Sequence, residues 1–304
     1  MMTIINSNDK ISRIQKEKVG DLSMIYIGED NTLKVDRKVE FGFYLTDGNG
    51  NDILLPNNLI LNEEIEVGEE VEEEVEVFVY RDSKDRPIAT MKKPLIKVGE
   101  VAYLEIVGQS SFGAFANMGL DRDIFIPIKE QKFKLVTGKK YLLYAYLDKT
   151  NRLAATTYVD PYIEKGEGFK VGDEVEVIAY GKGGEKTIRV AIDGKYEAII
   201  LGNEHFTDIY PGDKFKGRIK RIYEDGIIGI TNRKKRLDER EMLKESIVSY
   251  LLENDGYMPF NDKSAPELIK ETFHTSKNYF KMALGGLMKE GRIEQNSEGT
   301  KLIK

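Results

Sequence analysis

The chain has no cysteine and only two histidines among its 304 residues. The first absence removes disulfides, thiolate metal sites and cysteine nucleophiles together, and it points to a reducing compartment, the cytoplasm. His205 and His274 lie far apart without the spacing of a metal site or a catalytic triad, so each is read as structural. No apolar run approaches the roughly 20 residues of a membrane helix, and Met1 to Lys18 lacks the apolar core of a signal peptide. Walker A and Gly-x-Gly-x-x-Gly fingerprints are both missing, and Gly181-Lys182-Gly183-Gly184 reads as a turn. The expectation is a protein that is not an enzyme, with no metal, no cofactor, no small-molecule substrate and no membrane contact.

A surplus of basic charge is lacking too. The net charge of −6 argues by itself against a polyanionic partner. The charges are segregated, however. Nine glutamates and no basic residue lie between Glu63 and Glu76, whereas Thr207 to Arg236 holds nine Lys/Arg against four acids. Any basic face must be local.

What is present is repetition. Glu40-Phe41-Gly42-Phe43-Tyr44-Leu45, followed by Asp52-Ile53-Leu54-Leu55-Pro56, recurs as Ser111-Phe112-Gly113-Ala114-Phe115-Ala116 followed by Asp123-Ile124-Phe125-Ile126-Pro127. Each copy continues into an alternating strand, Val75 to Tyr80 or Tyr141 to Leu147, then a turn and a last strand. Period-2 segments separated by turns such as Asp47-Gly48-Asn49-Gly50 are hairpin grammar. A fainter third unit runs from Val171-Gly172-Asp173 through Ala198-Ile199-Ile200-Leu201 to Ile227-Ile228-Gly229-Ile230-Thr231. After Arg233-Lys234-Lys235-Arg236 the period becomes helical: Met242, Leu243, Ile247, Tyr250 and Leu251 share one stripe. Ser264-Ala265-Pro266-Glu267 has the form of a capping box opening a second helix, and Thr275-Ser276 opens a third. A terminal hairpin over Gly291 to Ile303 completes a winged helix. The fold class is therefore multidomain and mainly β: three tandem five-stranded β-barrels followed by an α+β winged-helix domain, with boundaries at 1–92, 93–160, 161–236 and 237–304.

Small five-stranded barrels present a strand face to single-stranded nucleic acid, using aromatics for stacking and cations for phosphates. Phe112 and Phe115 lie three apart, so on a regular strand they face opposite sides and at least one is exposed, unless Gly113 introduces a bulge. Lys214, Lys216, Arg218 and Lys220 alternate with Phe215, Gly217 and Ile219, which puts four cations on one strand face, and Arg221 with Arg233, Lys234, Lys235 and Arg236 extends the patch. In the last domain Lys277, Lys281 and Arg292 are the candidate cations. That domain carries ten Lys/Arg against twelve Asp/Glu, which argues against duplex DNA and for RNA or protein contact.

The copies around Gly42 and Gly113 resemble the S1 RNA-binding family, which is of OB-fold type. That resemblance implies RNA contact by Phe112, Phe115 and Phe125 in the second unit; Lys129 and Lys132 of the same unit are read from the sequence as cations for phosphates. In the first unit Phe41 and Tyr44 match, but Leu54 replaces the third aromatic and the acidic run follows, so this unit is expected to bind weakly or not at all, and in the third only Tyr196 stands near the corresponding region. Pro127 occupies the place where many S1 domains have a contacting histidine. Over nearly its full length, most specifically at Met258-Pro259-Phe260-Asn261-Asp262-Lys263-Ser264-Ala265-Pro266-Glu267 and Ala283-Leu284-Gly285-Gly286-Leu287, the chain resembles the conserved virulence factor B family, or YitL type. This implies single-stranded RNA as partner and a post-transcriptional influence on gene expression, virulence included in pathogens. Two other readings stand beside it: a scaffold docking on the ribosome or a ribonuclease, and a DNA-binding regulator acting through the winged helix.

Overall fold

Val75, Val77 and Val79 alternate with polar residues and with Phe78 and Tyr80, so one strand is apolar on both faces from its middle onward. This strand decides how the first part of the chain is built. A computed structural model of the chain describes residues 25–61, 74–184, 187–205, 208–233 and 236–303, and the side chains of these except 236–239. Most of the acidic run from Glu63, together with Lys234, Lys235 and the Arg236 side chain, lies outside the described residues. The chain forms two compact units that divide between Val159 and Asp160.

The first unit holds two closed barrels. Barrel 1 comprises β1 (Asp30–Val39), β2 (Gly42–Thr46), β3 (Asp52–Pro56), β4 (Glu74–Arg81) and β5 (Pro87–Thr90), in the order β1-β2-β3-β5-β4. Barrel 2 repeats this order with β6 (Val101–Gln109), β7 (Gly113–Asn117), β8 (Asp123–Pro127), β9 (Lys140–Leu147) and β10 (Leu153–Thr156). In each, the third and fifth strands close the barrel in parallel, through Leu54 with Ile88 and Phe125 with Ala154. Closure bends the first strand at a bulge, between Val35 and Arg37 in barrel 1 and between Ile106 and Gly108 in barrel 2.

Val75, Val77 and Val79 fill barrel 1 with Leu45, Ile53 and Leu55. Phe78 and Tyr80 on the opposite face of β4 enter the core of barrel 2 beside Ile106, Ile124 and Leu143. Backbone bonds join the same seam: Gly28 N–H donates to the Val79 carbonyl (2.7 Å), and Val98 N–H donates to the Gly28 carbonyl (2.9 Å). The two barrels thus share apolar burial, and neither can shift without exposing aromatic surface.

The second unit begins with barrel 3: β11 (Glu174–Lys182), β12 (Thr187–Ile192), β13 (Tyr196–Leu201), β14 (Lys214–Ile222) and β15 (Ile228–Thr231), in the same order and with the same first-strand bulge, between Ala179 and Gly181. Helices α1 (Arg236–Glu253), α2 (Pro266–Phe273) and α3 (Lys277–Lys289) follow, with a sheet of β16 (Tyr257–Met258), β18 (Thr300–Leu302) and β17 (Ile293–Gln295) in that order. The two-residue β16 joins the wing and is too short to leave a period in the sequence. Phe280, Ala283, Leu284 and Leu287 of α3 are fully buried against Leu243, Ile247 and Leu251 of α1.

Two local expectations are corrected. Met242 is exposed rather than in the stripe. The capping box at Ser264 does not form: Ala265 is the N-cap of α2, Pro266 supplies the start, and Ser264 Oγ instead accepts from Asn261 N–H (2.9 Å). Ser276 does cap α3, its side chain accepting from Tyr279 N–H. No helix among the described residues is long and apolar enough to cross a membrane, and no group of three or more His, Asp or Glu among them could hold a metal ion.

Candidate nucleic-acid interface

Phe115 on β7 stands directly across from Phe125 on β8, and their rings meet at 5.2 Å between centroids, tilted by 41°. Both are half-buried, so one side of the pair stays open. Phe112 is not on the strand. It sits in the turn before β7 and is 77% exposed, which is why it and Phe115 escape the alternation rule, and the bulge of barrel 2 falls at Gly108 rather than Gly113. The turn is fixed at both ends: Phe112 N–H donates to Ser110 Oγ (3.2 Å), and its carbonyl accepts from Ile128 N–H (3.0 Å). Gly113 matters because of what lies beside it. A Cβ there would come within 2.2 Å of the Ile126 carbonyl and 2.7 Å of the Phe125 ring, so only glycine lets this ring lie flat against the strand.

These rings floor a groove of about 550 Å³ that Pro127, Met118 and Ile124 also line. Arg81, Arg122 and Arg152 line it as well, together with Asp82, Asp85, Asp123 and Asp148. Lys129 and Lys132, the neighbouring cations expected from sequence, are exposed beyond the end of β8 and do not line it.

Strand register places the matching positions of the other barrels. In barrel 1 the pair is Tyr44 with Leu54, and in barrel 3 it is Arg189 with Ile199. Across the bulge, Tyr44 faces Arg37, Phe115 faces Gly108 and Arg189 faces Gly181. The Arg37 guanidinium lies 4.2 Å from the Tyr44 ring centroid and is held there by Asp52 (3.0 Å) and by Asp36, which raise its pKa. Barrel 1 therefore covers its own stacking surface, although Phe41 beside it is 57% exposed. In barrel 3 the aromatic is replaced by Arg189, ion-paired to Asp160. Tyr196, at the other end of the β12–β13 pairing, packs edge-on against Phe169 (5.4 Å) with Lys195 over its ring, and is half-buried. Of the three barrels, only the second has an aromatic pair here with no cation over it among the described residues.

The basic stripe of barrel 3 lies on β14, between β11 and β15, away from β12 and β13. Much of its charge is already engaged. Lys214 pairs with Glu176 (2.7 Å), and Lys220 pairs with Glu204, which is only 6% exposed. Arg218 reaches the Arg233 carbonyl at 3.5 Å, and Arg221 lies over Tyr223. Lys216 has no ion pair among the described residues. Arg233 covers the Tyr279 ring at 4.6 Å. In the winged helix, Lys277 donates to the Lys263 carbonyl (3.2 Å), Lys281 faces Asp262 (3.7 Å) and Arg292 pairs with Glu245 (3.0 Å), so the exposed side of α3 offers little unpaired positive charge. Sequence reasoning missed Arg37, Arg81, Arg122, Arg152 and Arg189. The relation of Arg37 to its aromatic arises from the bulge, that of Arg81 and Arg152 from the seam between barrels, and neither leaves a local motif.

An S1 domain model matches residues 27–92 and 98–158, and a CvfB-like winged helix domain model matches residues 245–302. The chain is similar to the uncharacterized protein YitL of Bacillus subtilis, at 31% identity over 287 residues that cover 90% of this chain and 92% of that one. It is similar to conserved virulence factor B of Staphylococcus saprophyticus, at 30% identity over 257 residues, 79% of this chain and 82% of that one. A crystal structure of a multidomain protein with nucleic acid binding domains from Streptococcus pneumoniae has the same fold over 91% of this chain and 98% of its own, with a TM-score of 0.52 and 22% identity. With identity of 30% or more over most of the chain, and with S1 and CvfB-like winged helix models both matched, the chain belongs to the conserved virulence factor B family, the YitL type.

Proposed function

We propose that this protein binds single-stranded RNA in the cytoplasm and acts on gene expression after transcription, with barrel 2 as the principal base-contacting site. The observation that carries this reading is the Phe115–Phe125 pair, open on one side and flanked by Phe112 at 77% exposure. Base stacking on such rings is worth about 1–3 kcal/mol per base and tolerates any sequence. In this reading the exposed Lys129 and Lys132 beyond β8, and Lys216 on barrel 3, meet phosphates. The S1 domain matches support nucleic acid as the partner class. No catalytic step belongs to this reading.

Duplex DNA is disfavoured because the α3 cations Lys277 and Lys281 are turned onto the loop at 262–263. Fluorescence anisotropy with labelled single-stranded RNA, single-stranded DNA and duplex DNA over a salt series tests the assignment. The expected result is tightest binding to single-stranded RNA, with log K falling against log[salt] by about 0.7 per phosphate contacted. Preference for duplex DNA that is lost on removing residues 237–304 would favour the regulator. No RNA binding at low salt would leave a protein-docking scaffold, on the ribosome or a ribonuclease, as the better reading.

A further inference from the structure

The groove over Phe115 and Phe125 has two walls, and they come from different barrels. One is barrel 2 itself. The other is the β4–β5 hairpin of barrel 1, through Arg81, Asp82, Ser83 and Asp85. This hairpin is fixed in place. Arg152 of barrel 2 makes two bonds to the Asp85 carboxylate (2.9 and 2.8 Å), and Arg81 Nε donates to the Asn151 carbonyl (3.0 Å) while its Nη1 donates to the Asp85 carbonyl (2.7 Å). Behind it, Phe78 and Tyr80 of β4 are buried in the barrel 2 core. The width of the groove is therefore set by the fold before any ligand arrives, which lowers the ordering cost of binding.

The lining also says what the groove holds. Its charges are largely satisfied within the protein: Asp82 by Arg86 (2.9 and 2.6 Å), Asp85 by Arg152, and Asp148 by Thr150 and the Arg152 N–H of its own turn. Tyr80, whose pKa burial pushes up to about 12, stays neutral. Arg81 donates to two backbone carbonyls, and Arg122 and Asp123, which make no side-chain hydrogen bond or ion pair among the described residues, carry opposite signs. Three arginines against four aspartates do not make a phosphate site. An aromatic floor with neutralised walls and a few polar groups, in a volume within the roughly 300–1,000 Å³ of small-ligand pockets, suits an uncharged planar group.

We propose that the seam between barrels 1 and 2 is a composite base slot: an unpaired RNA base lies on Phe115 and Phe125 with the barrel 1 hairpin as its second wall, and the phosphates run outside. Barrel 1, which covers its own stacking surface, thus serves as part of the site of barrel 2. This rests on the stacking assignment for barrel 2 and adds the barrel 1 wall to it.

The absence of cysteine makes the test direct. In full-length protein, Ser83→Cys is labelled with benzophenone maleimide, incubated with a labelled mixed-sequence RNA oligomer and irradiated. Asn49→Cys, in the β2–β3 turn of barrel 1 outside the groove lining, serves as the comparison. The expected result is RNA crosslinked from position 83 and not from position 49, lost when Phe115→Ala and Phe125→Ala are added. An abasic strand of equal length, which keeps the charge and lacks the bases, is expected to give no crosslink. Unlabelled Ser83→Glu protein is expected to bind RNA about threefold or more weakly at low salt, where a charge at the slot wall is least screened.

Phe-dependent binding without a crosslink from position 83 and with unchanged affinity of Ser83→Glu overturns the composite slot while leaving the stacking assignment standing. Equal crosslinking from positions 49 and 83, or capture of the abasic strand, overturns it as well. Affinity unchanged by the two phenylalanine substitutions would instead remove the stacking assignment itself.

Discussion

Gly108 occupies the position across the bulge that Arg37 holds in barrel 1, and the substitution Gly108→Arg transplants the cover of Tyr44 onto Phe115. The site accepts a side chain: a Cβ at Gly108 would meet the nearest Phe115 ring carbon at 3.8 Å, an ordinary contact, and its backbone is not in the left-handed region. Replacing a strand glycine under those conditions restricts the unfolded chain and stabilises by about 0.4–1 kcal/mol, so the variant is expected to fold. A guanidinium over the open side of Phe115 removes one stacking surface, worth about 1–3 kcal/mol, or roughly 5- to 150-fold in affinity. The new cation works in the opposite direction. By counterion release one added phosphate contact contributes only about twofold at roughly 0.3 M salt, so at that ionic strength the loss of stacking wins. Gly108→Ala, which leaves the ring face open, is expected to bind as the parent does. The assay is anisotropy of labelled single-stranded RNA at about 0.3 M salt. Binding by Gly108→Arg as tight as that of Gly108→Ala would refute the idea that the open Phe115 face carries the affinity.

Gly113→Ala pushes a methyl against the Ile126 carbonyl and the Phe125 ring, and is expected to lower the urea midpoint by the equivalent of about 1–3 kcal/mol and to weaken RNA binding with it. Lys220→Ala leaves the buried Glu204 carboxylate without its partner, so it is expected to destabilise the second unit by about 1–3 kcal/mol, read by urea denaturation, with little change in RNA affinity at 0.3 M salt. The Asp82 pKa is held down to about 2, chiefly by the hydrogen bonds from Arg86, and that of Asp85 is lowered chiefly by those from Arg152. A depressed folded-state pKa means that the stabilisation is complete above the unfolded value near 4 and is lost as pH falls toward 2. Stability is therefore expected to be insensitive to these two groups from about pH 8 to 5 and to fall below about 4, with a smaller fall in Asp85→Asn, as measured by the urea midpoint at pH 7 and pH 3.

The three barrels and the winged helix are legible in the sequence because each rests on local patterns: alternation in β4 and β9, Gly-rich turns, and the spacing of Phe280, Ala283, Leu284 and Leu287. Phe115 and Phe125 are legible for the same reason, since each falls at a fixed place in a repeated strand motif. Phe78 and Tyr80 also stand in the sequence as aromatics on an alternating strand, but that they bury themselves in the neighbouring barrel depends on how two barrels dock. The Arg152–Asp85 bond joins residues 67 apart, and no sequence window contains both. The cover of Tyr44 by Arg37 needs the bulge, whose position between Val35 and Arg37 is set by barrel closure rather than by a marker residue. The lysine and arginine stripe of β14 shows the converse: its alternation is real, but Glu176 and Glu204, brought in from β11 and from the loop after β13, take up part of its charge.

The most direct measurement compares the affinity of full-length protein and the Phe115→Ala/Phe125→Ala double variant for one single-stranded RNA, at about 0.3 M salt, after both are shown to unfold cooperatively. Loss of two stacking surfaces at about 1–3 kcal/mol each is expected to weaken binding by at least tenfold, with the salt slope unchanged because no phosphate contact is removed. Equal affinity of the two proteins would contradict base recognition by barrel 2.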